Sequence, residues 1–341
     1  MENCRAFHIE YRQEPINIIE KDKLLFKHEY EYKCYEPILK IYKNTYFNSE
    51  GFIYQFFRPV IEPFSIKNKS HKKSNLDTIK NIFKCYLLKQ GDLNDPCFFI
   101  HDVWFEGYFH WNLDALPRLY CFLQLQSTKY KLILPKYSQQ FSYITESLAL
   151  LGFNNNNCIY VDYSRVYYAK EIATCPPFTH TGNYHSEVIR SMTKQLKTNA
   201  GVSSQPANRL IYVSRKNAKK RKIINEEEIS GILQRLGFEI IETDNLSYVE
   251  QIQLFNSVKW LVSIHGAGLS NMIFMNKGCH VLELRNKDDK TNNCYFSLAS
   301  AVGLHYYYLE NNTDNSNTNV GNLFIDPQKF EEVLQKYVVI T

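Results

Sequence analysis

The stretch WLVSIHGAGLSN, Trp260 to Asn271, sets an apolar run against a histidine, two glycines and a fresh apolar pattern. It reads as a buried strand, a tight turn and the start of a helix, the junction from which parallel α/β sheets are built. Gly266 and Gly268 remove side-chain bulk where the first amides of a helix have no partner. The turn therefore offers N–H groups and a positive helix end to an anion. Tight packing of the turn is a second use for the same glycines, and both readings stay open.

Working outward, RLIYVSR (209–215), FEIIET (238–243), HVLELR (280–285) and LHYYYLE (304–310) carry the signature of further strands. Between them NEEEISGILQRLG, SYVEQIQLFNSV, GLSNMIFM and CYFSLASAVG have helical periodicity. Ser247 with Glu250 forms a capping box, and Asp326 with Pro327 opens a last helix. Such a series predicts a parallel, doubly wound sheet. Earlier in the chain, Cys97–Trp104, Lys131–Pro135 and Cys158–Asp162 read as strands separated by helical stretches, again as βαβ units. Residues 1–80 show only short pieces such as FIYQFFRPVIEPF, Phe52 to Phe64, with the look of strands and turns.

At 341 residues the chain exceeds what one core usually supports, so two domains are expected. The Gly-, Ser- and Pro-containing run 198–208 is placed as the linker. It divides a first domain, 1–197, from a second, 209–325, and residues 326–341 are expected to cross back.

The net charge of +5 is mild, and the basic residues cluster in Lys67–Lys73 and Arg215–Lys222. No aromatic residues interleave with Lys67–Lys73, which speaks against nucleic acid and for an anionic membrane surface. Nine cysteines without a CxxC read as reduced thiols. No apolar run approaches the ~18 residues of a membrane span, and no leader is recognised, so a cytoplasmic location is expected.

In GYFHWNLDALPRL, Gly107 to Leu119, His110, Asp114 and Arg118 are spaced by four and would share one helical stripe. Asp114 is the first candidate for a general base and His110 the second, or Asp114 orients His110, which takes the proton. Arg118 would hold the carboxylate or an acceptor. A structural salt-bridged stripe is the plainer reading, and Pro117 either kinks the helix or opens it. Trp104, Tyr108 and Trp111 suit stacking on sugar rings or ordinary packing at a seam.

Arg215 ends the first strand of the second half, on the edge where the His265–Gly266–Ala267–Gly268 turn opens. Guanidinium and helix end together make a diphosphate clamp. Arg221 and Lys216 stand on the same loop, His265 is a hydrogen-bond donor to phosphate or ribose, and Glu283 would accept ribose hydroxyls. No DxD occurs: Asp288 and Asp289 are adjacent, and Glu242 and Asp244 form only an ExD. A metal-free arrangement is therefore expected, with arginine and amides carrying the charge.

Taken in order, these stretches resemble glycosyltransferase family 61. GYFHWNLDALPRL is similar to its HW-x-x-D-x-L-P-R signature, and Arg209 to Leu309 to its C-terminal half. The resemblance implies a GT-B architecture of two Rossmann-like domains facing a cleft. It further implies inverting, metal-independent transfer from a UDP-sugar carrying N-acetylglucosamine, xylose or arabinose to a glycan acceptor, with no cofactor. Arg215 and His265 to Gly268 would hold the diphosphate, and Arg221 and Asn225 fall on further matching positions. The lack of an anchor points to the bacterial-type members that build surface polysaccharides, on a free or a lipid-linked acceptor. The alternatives are a CDP-polyol phosphotransferase of similar fold and a non-catalytic nucleotide-sugar or glycan-binding protein.

Overall fold

The computed structural model of the chain describes residues 5–49, 52–55, 58–60, 83, 87, 89–125, 129–162, 165–203, 205–315, 317, 318 and 320–338. The basic run Lys67–Lys73 and much of Phe52–Phe64 lie outside them. The chain divides into two compact units, Met1–Ile9 with Lys33–Val188 and Glu10–Tyr32 with Ile189–Thr341.

In the second unit six strands lie in the order Glu239–Ile241, Arg209–Val213, Val258–Ile264, His280–Asn286, His305–Thr313, Leu323–Phe324. The first five are parallel and the last antiparallel. Numbered along the chain, the parallel strands run 2-1-3-4-5, so the winding reverses between Arg209–Val213 and Val258–Ile264. Alternate residues Tyr212, Trp260, Val262, Leu282 and Leu309 pack with Ile229 and Leu233 of the helix Glu226–Arg235 in one core. The intervening Ile211, Leu261 and Val281 are 0% exposed as well, so the sheet is covered on both faces. This is why its strands read as nearly continuous apolar runs.

Local signals decide where the helices begin. The Ser247–Glu250 capping box is formed reciprocally, and Asp326 caps Pro327–Tyr337. The segment GLSNMIFM is a 3₁₀ helix, Ala267–Phe274, instead of an α-helix. The last helix, expected to cross back, buries Phe330 and Leu334 in this unit's own core, and its Glu331 pairs with Arg235 at 3.1 Å.

Residues 10–32, read in sequence with the first half, also build the second unit. Ile16 N–H donates to Tyr306 O (2.9 Å), the Asn17 amide to Tyr308 O (2.7 Å), and Phe26 is fully buried against Phe296, Tyr306 and Tyr308.

The first unit departs from the doubly wound plan. Its eight-stranded sheet is mixed, with the path Arg58–Val60, Ile53–Gln55, Lys40–Asn48, Val166–Thr174, Cys97–Phe99, Lys131–Pro135, Cys158–Val161, and with Lys89–Leu93 also on Val166–Thr174. The correction comes from the nine-residue strand Val166–Thr174, to which the sequence reading gave no role. One edge pairs parallel with Cys97–Phe99, the other antiparallel with Lys40–Asn48, so a βαβ half and a meander share one sheet. Val166–Thr174 and Cys97–Phe99 flank the point where strand order reverses here too. The strand expected over Cys97–Trp104 stops at Phe99, because Asp102 Oδ1 accepts from Trp104 N–H at 2.8 Å and folds the chain into a turn. Among the described residues no helix is long and apolar enough to cross a membrane.

Candidate active site

That turn delivers the chain to a helix opened at Tyr108 by the extended Gly107. It runs through a π-helical turn, Trp111–Ala115, into Leu116–Leu125. The π turn answers Pro117, which has no N–H and whose ring clashes with the carbonyl four residues back in a regular α-helix. A widened turn, with Leu116 N–H reaching Trp111 O, relieves that clash without ending the helix. His110 and Asp114 therefore remain one turn apart, with Nδ1 and Oδ2 at 2.8 Å and side chains 29% and 21% exposed.

The dyad is tuned as a pair. Burial pushes the Asp114 carboxyl up, more than the bonds from His110 and from Thr181 (3.3 Å) bring it down. Burial pushes His110 down, but the Asp114 bond and charge, with Asp102, raise it overall. Asp102, Asp114, Thr179 and Thr181 line a cavity of about 30 Å³ at the carboxyl ends of Cys97–Phe99 and Val166–Thr174. Sequence reasoning missed Thr181, which lies 67 residues from Asp114 and joins it only through the sheet.

Arg118 does not continue the stripe. It is 4% exposed, and its guanidinium donates to Cys175 O (2.6 Å), Thr174 Oγ1 (3.1 Å) and Ile100 O. It ties the helix to the ends of the two central strands and also lines the cavity beside Asp114. Trp111 is also corrected: it is fully buried, with Nε1–H on Ser147 Oγ at 2.8 Å, and belongs to the core. Trp104 is 62% exposed and 6.0 Å from the His110 ring, and Tyr108 meets Tyr143 edge-on at 5.2 Å. Ser147→Ala is expected to cost about 1–3 kcal/mol in denaturant unfolding, because it strands a buried indole N–H. An unchanged midpoint would remove Trp111 from the list of polar anchors.

In the second unit the glycines divide the two roles left open by sequence. A Cβ on Gly268 would lie 3.0 Å from Val213 Cγ1, which is a packing demand. A Cβ on Gly266 would lie 3.1 Å from Arg215 Nη1, so the bare backbone is what lets the guanidinium settle on the turn. Leu269 N–H makes the first helical bond, to Gly266 O at 2.9 Å, and the amides of residues 266–268 precede it. Arg215 Nε donates to Arg221 O (3.3 Å), and Arg221 Nη1 to His265 O (3.4 Å). Arg221 holds φ at +55°, a left-handed strain for a non-glycine residue, and its buried Nε has no hydrogen-bond partner among the described residues. Burial, then the Arg221 charge, lower the Arg215 pKa. Two adjacent guanidiniums, neither in an ion pair among the described residues, stand over unpaired amides where the winding reverses.

The other expected donor residues are engaged internally. Glu283 is 0% exposed: His265 Nδ1 and the Tyr306 hydroxyl bind its two oxygens, and Arg285 stands near. Burial pushes its carboxyl up, and these partners bring it below the ordinary range. It is not available to ribose as expected; it orients His265, whose Nε2 takes the Asn292 amide at 3.1 Å. His265 thus serves the turn through its carbonyl. Asn225 clamps Ile325 through both its amide groups (2.7 and 3.1 Å), and Lys216 lies 4.0 Å from Glu227.

Comparison with known proteins places both sites in one family. The family model for glycosyltransferase 61 matches residues 108–282, from the first residue of the dyad helix to the strand after the glycine turn. EGF domain-specific O-linked N-acetylglucosamine transferases are similar: that of Mus musculus is 29% identical over 101 residues, covering 28% of this chain and 19% of the relative, and that of Drosophila melanogaster is 30% identical over 101 residues, covering 29% and 19%. A beta-1,2-xylosyltransferase of Oryza sativa subsp. japonica is 25% identical over 231 residues, covering 60% of this chain and 40% of its own. The chain thus spans about a fifth of the length of the first two relatives. Since the family match takes in more than half of the sequence and includes the dyad, the arginines and the turn, the chain belongs to the glycosyltransferase 61 family.

Proposed function

We propose that the protein is an inverting, metal-independent glycosyltransferase of GT-B type that moves a sugar from a UDP-linked donor to a hydroxyl of a glycan acceptor. The observation that carries this is the pair Arg215 and Arg221, neither in an ion pair among the described residues, over the amides of Gly266 to Gly268. A departing diphosphate develops negative charge, and preorganised guanidinium and amide donors stabilise it with no reorganisation. Of the carboxylates nearest to a metal-binding pattern, Glu242 accepts from Asn217 at 2.7 Å and Asp289 caps the Thr291 and Asn292 amides. Inversion needs a base on the acceptor hydroxyl, and the His110–Asp114 dyad supplies it. The relatives' names, an N-acetylglucosamine and a xylose transferase, favour those sugars. Surface polysaccharide or its lipid-linked precursor is the acceptor class, met at an anionic membrane through Lys67–Lys73.

The reading is tested by a thermal-shift panel followed by turnover in EDTA. UDP-sugars are expected to raise Tm and CDP-polyols not, and transfer is expected to persist under chelation. Turnover lost in EDTA and restored by Mg²⁺ or Mn²⁺ would refute the metal-free mechanism; stabilisation by a CDP-polyol alone would favour phosphotransfer.

A further inference from the structure

The first unit also gathers His8, Glu36 and His185 so that one ligand atom from each lies within 4.8 Å of the others. Local pairing brings them there. Strands Phe7–Tyr11 and Glu31–Tyr35 form a two-stranded sheet, and Glu36 N–H bonds Ala6 O at 2.9 Å. Tyr35 N–H bonds Phe178 O at 2.9 Å, and the Arg5 guanidinium spans Glu36 O (2.8 Å) and Pro177 O (2.9 Å). His185, 4% exposed, directly precedes the helix Ser186–Asn199. The rings of His8 and His185 meet at 4.6 Å and 73°, and His8 Nδ1 is 3.2 Å from Glu36 Oε1. The buried Cys34 thiol falls in a separate group with His8 and Glu10, and its Sγ lies 3.5 Å from Tyr184 O.

We propose that His8, Glu36 and His185 bind Zn²⁺ or a similar borderline divalent cation, with water completing the coordination. Two imidazoles and a carboxylate are a zinc donor set, whereas Mg²⁺ and Ca²⁺ call for oxygen alone. Zinc bonds of about 2.0–2.2 Å set neighbouring ligand atoms roughly 3.3–3.6 Å apart, close to the 3.2 Å of the His8–Glu36 pair. On binding, both histidines are neutral and each donor gives a lone pair to the ion. The chain leaves this unit after Ile9 and Val188 and re-enters it after Tyr32, and a ligand residue stands close to each passage. The ion fastens three distant segments of chain in one unit.

The test uses the full chain stripped by chelator and titrated with Co²⁺ and Zn²⁺. One equivalent of Co²⁺ is expected to give the visible absorption of a nitrogen- and oxygen-ligated ion, which His8→Asn weakens. Zn²⁺ is expected to raise Tm. Glu36→Gln, at an exposed position, and His8→Asn are expected to weaken Zn²⁺ binding at least about tenfold. Failure of the stripped wild type to take up stoichiometric Zn²⁺ at micromolar concentration overturns the proposal, as does wild-type affinity in a folded Glu36→Gln protein. The readout is metal binding, so either failure leaves the transferase reading standing.

Discussion

Arg215→Ala is expected to lower kcat/KM for glycosyl transfer by about 10²–10³-fold, the range seen when one preorganised donor to a developing anion is removed. The guanidinium rests on Gly266, where a Cβ would come within 3.1 Å of Nη1, beside the amides of a helix start. It is held there by the carbonyls of Arg221 and Lys220 at 3.3 and 3.4 Å, and Asp244 bears on it through its charge without an ion pair. No salt bridge among the described residues therefore competes with a diphosphate for this guanidinium. Arg215→Lys is expected to recover only part of the rate, since an ammonium does not reproduce the planar fork. Steady-state kinetics with parallel UDP calorimetry checks both: weaker UDP binding together with slower transfer is expected. Unimpaired UDP binding by Arg215→Ala would move the donor elsewhere.

Asp114→Asn is expected to cost about 10²–10⁴-fold in kcat, the worth of positioned proton transfer. Its pH profile then separates the two roles left open in the sequence. Asp114 is the chief influence raising His110 against burial, so in the wild type the deprotonated, competent dyad accumulates only above the ordinary imidazole value of about 6.5. The rate is expected to rise with pH through that raised value. If His110 takes the proton, Asp114→Asn moves the rising limb to lower pH, because burial is left to act with less opposition, and His110→Ala abolishes the limb. If Asp114 takes it, His110→Ala keeps a limb at the raised value that burial gives a carboxyl.

The stability linkage has the opposite sense. A raised His110 contributes fully below about 6.5, and that contribution fades as pH climbs through the folded value. Undiminished transfer by both variants would take the dyad out of the chemistry.

Periodicity and capping carried the second unit. Buried parallel strands leave apolar runs, helix starts leave Ser247 with Glu250 and Asp326 with Pro327, and the Arg215 loop and glycine turn follow their strands directly in the chain. The His110–Asp114 contact was legible for the same reason, since i,i+4 neighbours meet by helix geometry alone, even through a π turn.

What the amino-acid order determined by itself was local: the strand–turn–helix junctions, the spacing of the dyad and the arginine that ends a strand. Tertiary structure decided which like-looking residues are free to act. Trp104 and Trp111 are near neighbours in sequence, yet one is 62% exposed and the other 0%. Arg215 and Arg118 are both arginines beside strand ends, yet one rests on the glycine turn while the other is bound to Cys175, Thr174 and Ile100. The mixed sheet turned on Val166–Thr174 finding partners far along the chain on both edges. Burial and hydrogen-bond partners are set by residues distant in sequence, so a pattern read within one segment cannot contain them.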